Sequence, residues 1–141
     1  MKYKYLEDIA TADLAFEAYG KDLKELFTNA ALATADAMAN LKTVSLTEKR
    51  VINLKNKEIY GLLFDFLSEI IFLKDSDYMV FNKFDVKLKE GEIYELEAVV
   101  YGEKINPEKH ELKMDVKAVA MHMFEVNKTK GGWKALVVLD I

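Results

Sequence analysis

The hydrophobic residues of this chain change their spacing at Tyr78, and this change constrains the fold more than any other feature of the sequence. Before Tyr78, two long segments repeat apolar residues every three or four positions, as amphipathic helices do. After Tyr78, apolar and polar residues alternate, as they do in strands with one buried face. A chain that combines two helices with a run of strands is expected to pack the helices against a sheet.

The first helix is predicted between two signals in the sequence. Apolar and polar residues alternate over 14–19, which predicts a strand that ends at Gly20. Asp22 followed by Glu25 fits a helix N-cap with a carboxylate three residues on. We expect the helix to stop near Asn40, because asparagine tolerates the left-handed conformation common at helix ends.

The second helix has the most regular pattern in the chain. A short strand is predicted over 51–54, and Asn56 can cap the helix that follows. Gly61 weakens this helix by about 1 kcal/mol relative to alanine, so we expect it to permit close packing. The apolar positions of the helix are Ile59, Leu62, Leu63, Phe66, Leu67, Ile70 and Ile71.

The second half of the chain is predicted to consist of strands. The expected strands include 84–88, 93–101, 116–126 and 133–140. Gly131 and Gly132 can supply the positive φ of a hairpin turn, and 102–113, which contains Pro107, is expected to be a loop. The sequence therefore predicts an α+β fold, with two helices packed on a mostly antiparallel sheet, in a single domain over 1–141.

The composition excludes several classes of function. The chain has 141 residues, a net charge of −4 and no cysteine, so disulfides, thiolate metal sites and thiol nucleophiles are excluded. Arg50 is the only arginine, which argues against tight direct binding of RNA or DNA and leaves a local lysine patch open. The charged start does not fit a signal peptide, and Asp65 and Glu69 interrupt the most apolar stretch. We expect a cytoplasmic protein without a membrane partner.

Three carboxylates are expected to meet if the first and last strands lie side by side. Asp13 directly precedes the first strand, and the chain ends in Asp140 and Ile141, which carries the α-carboxylate. Carboxylates about 4 Å apart repel by around 4 kcal/mol per pair at an effective dielectric of 20. A proton, a lysine or a hard divalent cation such as Ca²⁺ or Mg²⁺ relieves this repulsion. Taken alone, each aspartate also fits a turn or helix cap.

Lys117 and the two histidines have simpler interpretations. Lys117 fits a solvated strand residue, or a lysine that neutralises the carboxylates. His110 fits a hydrogen bond that fixes its loop, and His122 fits a strand histidine without a catalytic role. Neither histidine belongs to a paired metal-binding motif or a nucleophilic triad.

Four segments together resemble the archease family: "TADLAFEAYG" at 11–20, "YGEKINPEKHEL" at 101–112, "VKAV" at 116–119 and "VVLDI" at 137–141. Their order and spacing match over nearly the whole chain. The resemblance implies a strand–helix–strand–strand core with an inserted small β-sheet. It also implies a divalent cation bound by Asp13, Asp140 and Ile141, and a functional role for Lys117.

The resemblance implies a function that composition does not. Archeases are accessory proteins, not enzymes, that activate the RtcB-type RNA-splicing ligase, which joins tRNA halves. They promote guanylylation of the ligase by GTP, allow multiple turnover and can broaden its nucleotide use.

This chain departs from the family pattern at one place. Many archeases carry Asp-His before Thr-Ala-Asp, whereas Ile9 and Ala10 stand there in this chain. No role of that histidine carries over to this sequence. Two other functions remain open: a small metal-dependent hydrolase that uses the same carboxylates, and a general protein chaperone or scaffold without a metal.

Overall fold

A computed structural model describes residues 1–7 and 13–141. The elements in chain order are β1 (Tyr3–Leu6), β2 (Asp13–Gly20), α1 (Leu23–Met38), a short 3₁₀ helix (Leu41–Thr43), β3 (Glu48–Asn56), α2 (Ile59–Asp77), β4 (Met79–Lys89), β5 (Tyr94–Lys104), β6 (Ala118–Thr129) and β7 (Gly132–Asp140).

The strands form two antiparallel sheets. The four-stranded sheet has the order β1-β2-β7-β6, and the three-stranded sheet has the order β3-β5-β4. The three-stranded sheet is inserted between α1 and β6 along the chain. The predicted α+β fold with an inserted small sheet is therefore confirmed.

The core joins both sheets and both helices. Phe16 of β2, Phe27 of α1, Phe66 of α2 and Val100 of β5 belong to one cluster of buried side chains. The rings of Phe27 and Phe66 stack with their centroids 6.1 Å apart and bring the two helices together. Both helices and both sheets therefore share this cluster.

Local sequence signals explain most helix ends. Asp22 caps α1, since its Oδ1 accepts a hydrogen bond from the Glu25 amide at 2.9 Å. The sequence predicts Asn56 as the N-cap of α2, but that position is held by Glu58, whose amide donates a hydrogen bond to the Asn56 Oδ1 at 2.9 Å. The Asn56 side chain also lies against Gly61, where an added Cβ would come within 2.6 Å of it. The close packing expected at Gly61 is therefore present.

Other local predictions also differ from the structure. Asn40 is not a left-handed helix end: α1 ends at Met38, and Asn40 has φ −65° and caps the 3₁₀ helix, where its Oδ1 accepts a hydrogen bond from Lys42. The segment 102–104 is part of β5 rather than loop. The edge strand β1 is missing from the prediction, because four residues carry too short an alternation to identify.

Candidate functional site at the end of β2 and β7

The candidate site lies where the two central strands of the four-stranded sheet end. β2 and β7 pair antiparallel over eight residues, from Asp13 opposite Asp140 to Gly20 opposite Trp133. Directly opposed residues of an antiparallel pair project to the same face, with Cβ atoms about 5 Å apart. The register therefore places Asp13 directly opposite Asp140, on the same face of the sheet.

Buried residues fix this register. Phe16 and Val137 face each other across the pair, and both are fully buried, as are Ala15 and Val138. A shift by one residue would turn these side chains to the opposite face of the sheet. The positions of Asp13 and Asp140 are thus set by the core, and both residues are only half-buried at its margin.

Lys117 lies beside the site, directly before the neighbouring strand β6. The Lys117 amide donates a hydrogen bond to the Asp140 carbonyl at 2.8 Å, and Ala118 stands opposite Asp140 in the register of β6 and β7. The Lys117 side chain is exposed. Within residues 1–7 and 13–141 its ammonium makes no ion pair with Asp13, Asp140 or the Ile141 carboxylate. A lysine that neutralises the carboxylates is therefore not seen in the described residues.

The chemistry of these donors suits a hard cation. Asp13 and Asp140 supply oxygen ligands, which Ca²⁺ and Mg²⁺ prefer. The described part of the chain contains no cluster of three or more His, Cys, Asp or Glu side chains that could hold a metal. A site with three protein ligands here would need the Ile141 carboxylate as the third, with water or a partner completing the coordination. The assignment of Asp13, Asp140 and Ile141 as metal ligands stays a prediction.

Part of the predicted motif cannot be placed. The described residues do not include Thr11 and Ala12 of the Thr-Ala-Asp motif. They also do not include Ile9 and Ala10, where this chain departs from the family pattern.

A buried lysine on α2 holds the start of β6, and the sequence analysis missed it. The ammonium of Lys74 lies 2.6 Å from the Val116 carbonyl and 3.1 Å from both Asp115 Oδ1 and Asp75 Oδ1. Lys74 therefore fixes the backbone one residue before Lys117. Its spacing from Ile70 and Ile71 places it on the buried face of the helix, which is the signal that could have identified it.

The end of α1 carries a second polar cluster near Leu14, also absent from the sequence prediction. Asp36 accepts hydrogen bonds from the Tyr3 hydroxyl at 3.0 Å and from the Lys113 ammonium at 2.8 Å. Burial and the neighbouring Asp36 carboxylate raise the pKa of Tyr3 to about 12. Asp36 and Leu14 also line a cavity of about 180 Å³ with Tyr5 and Met114. Because Asp36 is occupied by these two partners, we do not count it among the candidate metal ligands.

The two histidines differ in their surroundings. His110 is buried, its Nδ1 accepts a hydrogen bond from the Asn106 amide at 2.9 Å, and its Nε2 lies 2.6 Å from Glu103 Oε1. An acceptor Nδ1 leaves the proton on Nε2, so His110 donates to Glu103. This geometry agrees with the prediction that His110 makes a hydrogen bond that fixes its loop. His122 is exposed in β6, between the exposed Met121 and Met123.

Neither helix, among the residues that the structure describes, is long and apolar enough to cross a membrane.

Sequence comparisons place the chain among known proteins over almost its full length. The sequence model of the archease protein family matches residues 3–141. The archease of Methanosarcina mazei is 43% identical over 143 residues, which cover 99% of this chain and 96% of that protein. The archease of Pyrococcus abyssi is 38% identical over 133 residues, which cover 93% of this chain and 94% of that protein.

Two solved structures are similar to this fold. The solution structure of Methanobacterium thermoautotrophicum protein 1598 superposes with a TM-score of 0.86 at 37% identity and covers 99% of this chain and 98% of its own. The crystal structure of a Thermotoga maritima archease, described as a possible chaperone, has a TM-score of 0.64 at 22% identity, with 96% and 97% covered. The second likeness supports the fold alone.

Proposed function

This chain belongs to the archease family, and from that premise we propose that it activates an RtcB-type RNA-splicing ligase. In this proposal the chain is an accessory protein in the cytoplasm, not an enzyme. It promotes guanylylation of the ligase by GTP, supports multiple turnover and broadens the nucleotide use of the ligase. The observation that carries the proposal is the register that sets Asp13 opposite Asp140 at one end of the sheet.

The proposed site acts through charge. Asp13, Asp140 and the Ile141 carboxylate hold a divalent cation at this end of the four-stranded sheet. When this end docks on the ligase, the charge of the cation offsets phosphate charge during nucleotidyl transfer. The Lys117 amide donates a hydrogen bond to the Asp140 carbonyl, so this exposed lysine lies next to Asp140 at the same end of the sheet. Lys74 and the buried β2–β7 pair keep these groups in place before docking, which lowers the cost of ordering them in the complex.

Multiple-turnover RNA ligation by the cognate ligase tests the proposal directly. We expect the wild-type chain to increase the number of ligation cycles per ligase, and Asp13→Asn and Asp140→Asn to abolish most of that increase. Glu92→Gln is the matched control, because Glu92 is an exposed carboxylate in the turn between β4 and β5. Full activation by both aspartate variants, with circular dichroism unchanged, would contradict the proposed site.

Calorimetric titration with Ca²⁺ and Mg²⁺ tests the cation separately from the ligase. We expect Asp13→Asn and a variant lacking Ile141 to bind at least tenfold more weakly than wild type, because the first loses an anionic oxygen ligand and the second moves the terminal carboxylate back by one residue to Asp140. Equal binding by the variant lacking Ile141 would show that the cation does not need a carboxylate at the position of Ile141.

Two other functions lead to different outcomes in the same assays. The Thermotoga maritima relative is described as a possible chaperone, and a general chaperone would suppress aggregation of unrelated proteins whether or not Asp13 is intact. A metal-dependent hydrolase would cleave phosphoesters without any ligase present. Either result, together with failure to stimulate ligation, would replace the present proposal.

A further inference from the structure

The outer side of the three-stranded sheet carries a lysine-rich surface that has no part in the site described above. Inward-facing Ile52, Phe84 and Val100 are buried in the core, so the alternate positions of β3, β4 and β5 face away from it. We call this surface the lysine face. Its residues are Lys49, Val51, Asn53 and Lys55 of β3, Lys83, Asp85, Lys87 and Lys89 of β4, and Glu95, Glu97, Val99 and Tyr101 of β5.

The lysine face is positive, although the whole chain has a net charge of −4. All its lysines lie on the two outer strands, whereas two of its three acidic residues lie on the central strand β5. Glu95 is shared by Lys55 at 3.4 Å and Lys89 at 3.9 Å, so its negative charge offsets one of these two positive charges. On the lysine face, three ammonium groups make no ion pair with any residue that the structure describes: Lys49, Lys83 and Lys87.

An aromatic and apolar centre lies between these lysines. Tyr101 of the central strand stands directly between Lys49 and Lys83, and the Lys83 ammonium is 5.1 Å from its ring centroid. In the next row, Val51 has 58% of its surface exposed. A groove of about 540 Å³ continues the surface toward the other end of the strands, where Asn53, Lys87 and Glu97 contribute to its lining.

Solubility alone explains only part of this arrangement. Lysines on edge strands prevent sheets from pairing edge to edge, and β3 and β4 are both edge strands. That role needs no half-buried Tyr101 on the central strand and no open groove beside it. An open sheet that combines cations at its margins with an aromatic ring at its centre matches the way sheets bind single-stranded RNA, with phosphates on the cations and bases stacked on the ring.

We propose that the lysine face binds single-stranded RNA weakly, with phosphates on Lys49, Lys83 and Lys87 and a base against Tyr101. The absence of arginine from the face keeps this binding weak, because lysine contacts phosphate as a point charge rather than through a two-pronged pair. The choice of RNA over single-stranded DNA rests on the proposed function, in which the partner ligase acts on RNA.

Fluorescence anisotropy of the isolated chain with a labelled oligouridine of about 12 nucleotides tests this proposal without ligase or metal. With three phosphate contacts, the logarithm of the affinity should fall with the logarithm of salt concentration with a slope of about −2 between about 50 and 200 mM salt. The triple variant Lys49→Glu, Lys83→Glu, Lys87→Glu should bind at least tenfold more weakly. Tyr101→Leu should weaken binding by about fivefold and leave the salt slope unchanged.

A second charge-reversed variant controls for net charge. Lys24→Glu, Lys42→Glu, Lys130→Glu has the same net charge as the first triple variant, and these exposed lysines lie on α1, the 3₁₀ helix and the β6–β7 turn. It should retain most of the affinity, and circular dichroism should show that both variants are folded. Equal loss by the two variants, or wild-type binding that does not depend on salt, would overturn the proposal. Tighter binding of the matching oligodeoxynucleotide would overturn the choice of RNA.

Discussion

Glu103 joins three separate parts of the chain through one carboxylate. Its Oε1 receives the Lys109 ammonium at 2.6 Å, the Ser45 amide at 2.9 Å and His110 Nε2 at 2.6 Å. Burial acts to raise the pKa of Glu103, but these hydrogen bonds outweigh it and lower the pKa to about 2. Glu103 therefore ties the connection before β3 and the loop after β5 to the end of strand β5.

This lowered pKa predicts an acid-dependent loss of stability. Because the pKa of Glu103 is lower in the folded state than its ordinary value of 4.5, the carboxylate stabilises the fold fully above about pH 5. That contribution is lost as the pH falls toward about 2. Near neutral pH, Glu103→Gln should lower the free energy of unfolding by about 2 kcal/mol, because it removes charge-assisted hydrogen bonds.

Urea unfolding at several pH values measures this effect. The difference in unfolding free energy between wild type and Glu103→Gln should shrink between about pH 5 and about pH 2. Glu92→Gln, at an exposed carboxylate, should show no such change over the same range. A difference for Glu103→Gln that stays constant across the range would contradict the assignment.

At the scale of single residues, sequence reasoning succeeded where strand ends carry the information. Asp13 and Asp140 were expected to meet only if the first and last strands lie side by side, and the structure pairs these two strands. The partners of Glu103, Lys74 and Asp36 could not be identified, because they lie far away in sequence. Glu103 bonds Ser45, Lys74 bonds Val116 and Asp36 bonds Tyr3, and no local pattern encodes such contacts.

At the scale of elements, periodicity identified α2 better than it identified the strands. The 3–4 spacing predicted the helix from its first residue, and the structure extends it from Ile59 to Asp77. The long strand predicted over 116–126 is shifted to Ala118–Thr129, since Val116 is held by Lys74 rather than by a neighbouring strand. Strand ends depend on such tertiary contacts, which alternation does not carry.

The contact between α2 and the start of β6 leads to a prediction about Lys74. Lys74→Met keeps the length and apolar stem of the side chain but leaves the buried Val116 carbonyl without its donor. We expect the free energy of unfolding to fall by about 2 kcal/mol, which is the usual cost of an unsatisfied buried polar group. Chemical unfolding of the variant measures this loss.

Lys24→Met provides the matched control, because Lys24 is an exposed lysine on the other helix. That substitution should change the free energy of unfolding by less than about 0.5 kcal/mol. If Lys74→Met were as stable as Lys24→Met, Lys74 would not hold the start of β6.

At the scale of the whole molecule, the pattern predicted strands but could not assign them to sheets. β2 pairs with β7 across most of the chain, and β3 pairs with β5 across α2 and β4. Pairings between such distant segments depend on the packing of the complete core rather than on local signals. The inserted small sheet was expected from the family resemblance, and not from the alternation itself.

The four-stranded sheet differs in regularity between its centre and its β6 edge. β2 and β7 pair without interruption, and Ala15, Phe16, Val137 and Val138 are fully buried. On the other side of β7 the register shifts between Ala120 and Glu125, so that residues 121–124 of β6 stand opposite a single residue of β7. Met123, within this bulge, has a φ of 61°, which is unfavourable for a residue with a side chain.

Native-state hydrogen exchange should reveal this difference. We expect the paired amides of β2 and β7 to be among the most protected of the molecule, and those of 121–124 to exchange at least a hundredfold faster because these residues have no register partners in β7. The central strand of the three-stranded sheet, β5, serves as the comparison, since β3 and β4 pair with it over nearly its whole length. Equal protection of 121–124 and β7 would show that the bulge is closed in solution. Strong protection along β7 up to Leu139 would mean that Asp140 extends from a rigid strand. A site that is already formed before its partner binds requires such a strand.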